Sequence, residues 1–202
     1  MPEPADPSKP PHRRVSRFWL LAPFVATALL ALGGSVGWWV ERIRLETRLD
    51  QTTKALKVQG VDISWSKREV SGFPFRLDLT LQSPRIADRS GWALSAPQIE
   101  GEAFAYDPGH WIFGAPSGVT LVRPVKGALD VTGQALRVSV SRLGSPAPRW
   151  SFQGLKLTFS PQPGAAPAML AGADLLEAHL QPGPDDQAAL LIRVDAGRSA
   201  GS

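Results

Sequence analysis

Side chains able to carry acid–base, nucleophilic or metal chemistry are sparse in this chain. Its 202 residues include three histidines and no cysteine, which excludes disulfides, thiolate metal sites and a cysteine nucleophile. His110 reads as a loop residue and His179 as part of a late strand, and neither has an acidic residue at a metal-ligand spacing. Asp185-Asp186 reads as a solvated turn pair. No phosphate-binding loop, dinucleotide fingerprint or metalloprotease signature occurs. Gly33-Gly34-Ser35-Val36-Gly37 satisfies the G-x-S-x-G pattern, but that motif needs a strand-to-helix turn and a His partner. Here it lies inside an uncharged helical run, so the match is coincidental. The expectation is a protein that is not an enzyme and uses no cofactor.

Binding chemistry is better represented, in Gly72-Phe73-Pro74-Phe75-Arg76. The ordinary reading is a turn glycine, an edge proline and two aromatics fixing a hairpin's register from its buried face. In the sharper reading Phe73 and Phe75 line an apolar trough open to acyl chains, with Arg76 on the rim beside a lipid phosphate. Core packing carries more weight, because inward aromatics at twofold spacing are usual in sheets. Trp92, Trp111 and Trp150 invite the same comparison. Trp111, with Ile112 and Phe113 in a Pro- and Gly-rich stretch, fits a sheet least well and is the candidate for contact with a membrane surface.

What must position these groups begins at Phe18–Val40, 23 residues without a charge. At 1.5 Å per residue the run covers about 34 Å, enough for a transmembrane helix. Trp19 and Trp38-Trp39 mark its two interfaces. Lys and Arg tally four on each flank: Lys9, Arg13, Arg14 and Arg17 before it, and Arg42, Arg44, Arg48 and Lys54 after it. The dense Arg13, Arg14, Arg17 cluster on a short tail breaks the tie toward a cytoplasmic N-terminus and an outer C-terminal domain. Ala31-Leu32-Gly33 resembles a signal-peptidase site, but the apolar run continues to Val40, beyond the ~7–15 residues of a secretory core. An uncleaved signal anchor is therefore preferred. The Arg13-Arg14 pair matches a twin-arginine signal poorly. Gly33 and Gly37 form G-x-x-x-G, which offers a homodimer contact between spans, against the ordinary reading of small residues common to spans.

Residues 1–17 hold five prolines and no apolar period, as a disordered tail does. Residues 41–57 read as a weakly amphipathic juxtamembrane helix. From 58 to 195 the period becomes twofold. Val61, Ile63 and Trp65, then Phe73, Phe75, Leu77, Leu79 and Leu81, alternate with polar residues around Ser71-Gly72, the pattern of an antiparallel hairpin. Short strands follow at 92–96, 99–106, 118–123, 128–131, 135–142, 150–153 and 155–160; segments 168–180 and 188–194 are open to helix or strand, and Leu176, Ala178, Leu180 with Leu190, Ile192, Val194 favour a final hairpin. Residues 196–202 read as a polar tail. The fold class is mainly β: a transmembrane helix followed by an antiparallel meandering sheet with one apolar face. The net charge of +4 splits into +2 before the span and +2 after it, no footprint for nucleic acid.

Anchor, charged helix, Trp65 strand and Ser71-Gly72-Phe73-Pro74-Phe75-Arg76-Leu77 together resemble domain-of-unknown-function family 2125, an uncharacterised Gram-negative envelope family similar in architecture to AsmA-like proteins. The resemblance implies an inner-membrane anchor and a periplasmic β domain, with no catalytic residues to carry over. It also implies a shortened member or a truncated reading frame. Two functions follow. One is a lipid-handling or envelope-homeostasis protein contacting phospholipid. The other is a structural module that pairs with an envelope protein through a sheet edge.

Overall fold

The computed structural model describes residues 17–145, 147–183 and 187–199. Most of the expected N-terminal tail, the Asp185-Asp186 pair and residues 200–202 lie outside them. Helix α1 (Arg17–Val58) joins the apolar run and the charged segment, expected as successive helices, into one. No Gly or Pro interrupts Trp38–Val58, and the Arg44–Glu41 and Arg42–Glu46 pairs staple the turns just beyond the apolar run. Its 42 residues extend about 63 Å, and the uncharged stretch, long and apolar enough to cross a membrane, takes up roughly the first half. Gly60, at φ +92°, supplies the left-handed residue that reverses the chain into the sheet.

The strands are β1 (Val61–Ser64), β2 (Lys67–Ser71), β3 (Arg76–Gln82), β4 (Arg85–Asp88), β5 (Ala93–Ser95), β6 (Gln98–Phe104) and β7 (Asp107–Gly114). They continue as β8 (Val119–Arg123), β9 (Gly127–Thr132), β10 (Ala135–Ser141), β11 (Arg149–Pro161), β12 (Leu170–Pro182), β13 (Ala188–Asp195) and β14 (Arg198–Ser199). Only Trp65-Ser66 separates β1 from β2, yet β2 pairs with β3 while β1 pairs with β4. The pairs β3–β6 and β4–β5, then β6–β7 and β5–β8, then β7–β10 and β8–β9 repeat this arrangement. Successive half-strands are therefore one long strand bent in the middle, and each long strand pairs along its length with the next. The sheet is an antiparallel meander folded across its own strands.

The fold line has a local cause in several of the long strands. Pro84, Pro97 and Pro116 remove ladder donors, while Ser83 and Lys156 take positive φ. Backbone bonds carry the sheet across the line, from Ser83 N to the Pro97 carbonyl at 2.8 Å and from Ala96 N to the Pro84 carbonyl at 3.1 Å. Arg198–Ser199, expected in a tail, continues the β13 strand against β12.

Two apolar clusters hold the halves. Near the fold line Leu129, Val131, Leu136 and Leu157 pack with Ile99, Val119 and Leu176. Farther along, Val70, Leu77, Leu79, Ala103 and Trp111 receive Trp38, Leu45 and Leu49 of α1. The helix thus runs from its uncharged stretch onto the inner face of the sheet, and its Asp50 pairs with Arg68 of β2 at 2.7 Å.

Candidate functional site

Strand parity builds the site. Inward residues line up across the ladder, and one row of Cα partners runs Trp111, Val140, Trp150, Leu180, Leu190 through β7, β10, β11, β12 and β13. A second runs Val70, Leu79, Gly101, Phe113, Val138, Phe152, Ala178, Ile192. Residues between the rows, such as Glu102, Arg137, Ser151, Gln153, Glu177 and Arg193, point to the other face. The sheet therefore has one apolar and one polar side, as an antiparallel sheet covered once should.

The cover stops partway. Along the first row relative exposure is 2% at Trp111 and 1% at Val140, then 42% at Trp150, 39% at Leu180 and 61% at Leu190. Helix α1 lies over the β2, β3, β6 and β7 part of this face, and no described element covers the part of β11–β13 that holds Trp150, Leu180 and Leu190. Ile192 and Val194 are exposed on the same face. With strands about 4.8 Å apart, the row from Trp111 to Leu190 measures about 19 Å. The result is an apolar trough, roofed at one side by the helix and open at the other.

At the boundary lies a groove of about 530 Å³ between α1 and the sheet, within the ~300–1,000 Å³ typical of small-molecule sites. Leu45, Leu49, Leu77, Trp111 and Leu143 form its floor and walls, and Glu41, Arg44 and Arg48 its helical rim. Positions 41, 44, 45, 48, 49 and 52 share one helix face by their spacing of three and four. Arg44 pairs with Glu41, whereas Arg48 makes no ion pair among the described residues. The groove starts where the apolar run of α1 ends.

The structure places the sequence candidates differently from expectation. Phe73 and Phe75 are in the turn between β2 and β3, both exposed, so they neither pin the register from the buried face nor line the trough. Gly72 at φ +93° takes the chain out of extended backbone there, which breaks the parity that pointed both rings inward. Arg76 opens β3 and is held by Asp78 and Glu102, each at 2.9 Å. The hydrogen bond with Asp78, then the charges of Asp78 and Glu102, raise the guanidinium above its ordinary value. Arg76 is thus engaged on the polar face rather than offered to a phosphate. Trp111, expected in a loop at a membrane surface, is an inward residue of β7 whose indole N–H donates to the Pro108 carbonyl at 3.1 Å. It is part of the core and of the groove floor, with no surface to offer a membrane.

His179 Nδ1 lies 2.7 Å from Ser151 Oγ, and His110 Nε2 lies 3.4 Å from Ser139 Oγ. Ser151 and His179 are directly opposed in the β11–β12 ladder, on the polar face and outside the trough. Among the described residues no three His, Asp or Glu side chains form a metal-holding group. Gly33 and Gly37 have nothing within 4 Å of a built Cβ, so that helix face is open.

Sequence reasoning missed the open end of the trough and the Arg44–Arg48 rim. Alternation at Leu176, Ala178, Leu180 and at Leu190, Ile192, Val194 marked the apolar face. The further signal was a shortage of cover, since the described residues offer one helix to a face crossed by eight long, bent strands.

A family model described as an uncharacterized protein conserved in bacteria (DUF2125) matches residues 38–201. The match starts at Trp38, the first α1 residue in the core. No curated protein and no solved structure matches the chain.

Proposed function

The chain belongs to this DUF2125 family of uncharacterised bacterial proteins, and we propose that it is a non-catalytic, single-pass membrane protein whose trough holds the acyl chains of a membrane phospholipid. α1 is long and apolar enough to cross a bilayer. The observation that carries the reading is the rise in exposure along one row of inward residues, from Val140 to Leu190. Apolar rows left open on one side ask for an apolar occupant. Hydrocarbon is at hand where α1 leaves the bilayer, and Arg48 stands at that end for a phosphate. The Arg13, Arg14, Arg17 cluster favours a periplasmic domain on an inner-membrane anchor, and an envelope-lipid role accords with the resemblance of the sequence.

The test is a photo-crosslinking amino acid placed singly in the full-length protein in bacterial membranes. The expected result is phospholipid-sized adducts from Leu180 and Ile192, which face the trough, and none from His179 and Leu191, their neighbours on the other face. Equal labelling at all positions, or no lipid adduct at Leu180 and Ile192, overturns the proposal.

A second reading has its own observation. Among the described residues β13 pairs only with β12 and exposes Leu190, Leu191 and Ile192 on both faces, as a strand does when a further strand can add to it. A protein-sized adduct from β13 positions supports this structural module over the lipid site.

A further inference from the structure

Two turns of the sheet converge at the point where α1 leaves the bilayer. The indole N–H of Trp38 donates to the Arg76 carbonyl at 2.7 Å, and the Trp38 and Phe73 rings meet edge to face at 5.5 Å. The turn 72–75 is thereby fixed against a residue at the end of the apolar run. Ala105 N donates to the Phe75 carbonyl at 2.9 Å, which ties the β6–β7 turn alongside. Phe73, Phe75, Phe104 and Tyr106 are all exposed, with Phe104 and Tyr106 stacked at 5.0 Å.

Height and composition identify what this tip meets. Trp38 precedes the first charge beyond the run, Glu41, by three residues, or about 4.5 Å along the helix axis. A tip held beside Trp38 is therefore within the headgroup layer of any bilayer that α1 crosses. Gly72-Phe73-Pro74-Phe75 and Ala105-Tyr106 carry no charge; the nearest ions are Arg76, paired with Asp78 and Glu102, and Asp107, which follows Tyr106 at the start of β7. Arg42 lies over Trp39 at 5.3 Å, placing a cation at the same level. Exposed Phe and Tyr beside an Arg–Trp pair match the side chains that settle at a membrane interface. The turns at the other end of the long strands, including Asp88–Trp92 and Pro124–Lys126, face away from the span.

We infer that the Phe73–Phe75 and Phe104–Tyr106 turns insert into the headgroup layer of the bilayer crossed by α1, giving the domain a second, sheet-borne membrane contact. With the helix as one point and the turns as another, the domain stands with its long strands upright and the groove mouth at the membrane surface. This seating requires only that α1 spans a membrane, and it holds whether or not the trough takes a lipid.

The chain has no cysteine, so single cysteines report position cleanly. Phe75→Cys, Tyr106→Cys and, at the far end, Val125→Cys are each labelled with an environment-sensitive fluorophore. The full-length protein is reconstituted into vesicles of phosphatidylethanolamine and phosphatidylglycerol, with iodide on both sides or with a nitroxide on the lipid. The expected result is lipid-borne quenching and loss of iodide quenching at positions 75 and 106, and the reverse at 125. Iodide quenching at 75 and 106 equal to that at 125 overturns the inference. Protection from iodide without lipid-borne quenching also overturns it, since protein would then cover the tip.

Discussion

Trp38 is where the apolar stretch of α1 becomes part of the folded domain, so its removal should cost the sheet as well as the helix. The side chain is 5% exposed and packs with Val70, Leu77, Leu79, Ala103 and Trp111. Its indole also donates to the Arg76 carbonyl. Truncation of a buried Trp to Ala costs about 3–5 kcal/mol, a large part of a typical domain's 5–15 kcal/mol. Trp38→Phe keeps much of the packing and loses the donor, for about 1 kcal/mol. Urea titration of the full-length protein in bilayer nanodiscs, followed by circular dichroism of the strands, reads both. With a slope of about 2 kcal/mol per molar urea, the midpoint should fall by about 2 M for Trp38→Ala and about 0.5 M for Trp38→Phe. Equal midpoints for wild type and Trp38→Ala would show that the helix does not dock here. The seating of the 72–75 turn at the membrane would then lose its support as well.

Arg123 is buried and donates to the carbonyls of Lys126, Gly127, Ala166 and Pro167. Arg123→Met should release the 162–169 loop at a cost of about 1–3 kcal/mol, seen as faster amide exchange in that loop than in β3 or β6. Gly72→Ala combines φ +93° with a Cβ 2.7 Å from the Arg76 carbonyl oxygen. It should destabilise by about 2 kcal/mol or more and lower lipid-borne quenching at position 75. Asp88 accepts from the Ser90 hydroxyl and from the amides of Ser90 and Trp92. The Ser90 hydroxyl bond leads in holding its carboxyl below the ordinary 3.8. A depressed carboxyl stabilises the fold above its ordinary pKa, and that contribution fades as pH falls through the lower folded value. The thermal midpoint should therefore be insensitive to this group at neutral pH and drop in acid, and Asp88→Ala should shrink the acid drop.

The long apolar helix, one-sided sheet and Gly72 turn were legible because each rests on local chemistry: an uncharged run, parity and a glycine. The fold line was not. Pro84, Pro97 and Pro116 signal lost donors whether a strand bends or reverses, and only pairing distinguishes the two. Pro97 and Pro116 therefore read as the ends of separate short strands, and the four residues of β4 that follow Pro84 went unread as a strand. β7 was missed for the same reason, since Pro108-Gly109 reads as a turn although the β7 strand includes both. Its Trp111 turns inward because it is in register with Val140, information held in a strand 29 residues away. Parity also misled at Phe73 and Phe75, where alternation continued in sequence through residues that had left the sheet. The unequal helix cover had no local signal, because α1 has charges around much of its outer half and no strong apolar stripe.

The open side of the trough also sets how tightly an occupant can be held. Trp150, Leu180, Leu190, Ile192 and Val194 keep roughly half their area in water, and full burial of such side chains is worth about 1.5–3 kcal/mol each. Covering them therefore offers on the order of 4–8 kcal/mol. A lipid arriving from the bilayer adds little to that sum, because its chains were already out of water, and association consumes about 4 kcal/mol or more. The balance favours an occupant that enters and leaves over one held permanently. A protein strand on β13 would gain differently, by pairing the free edge while leaving the inward rows exposed. Face and edge are separate binding surfaces, which is why residues on opposite faces of the same strand, Ile192 and Leu191, discriminate between the two functions.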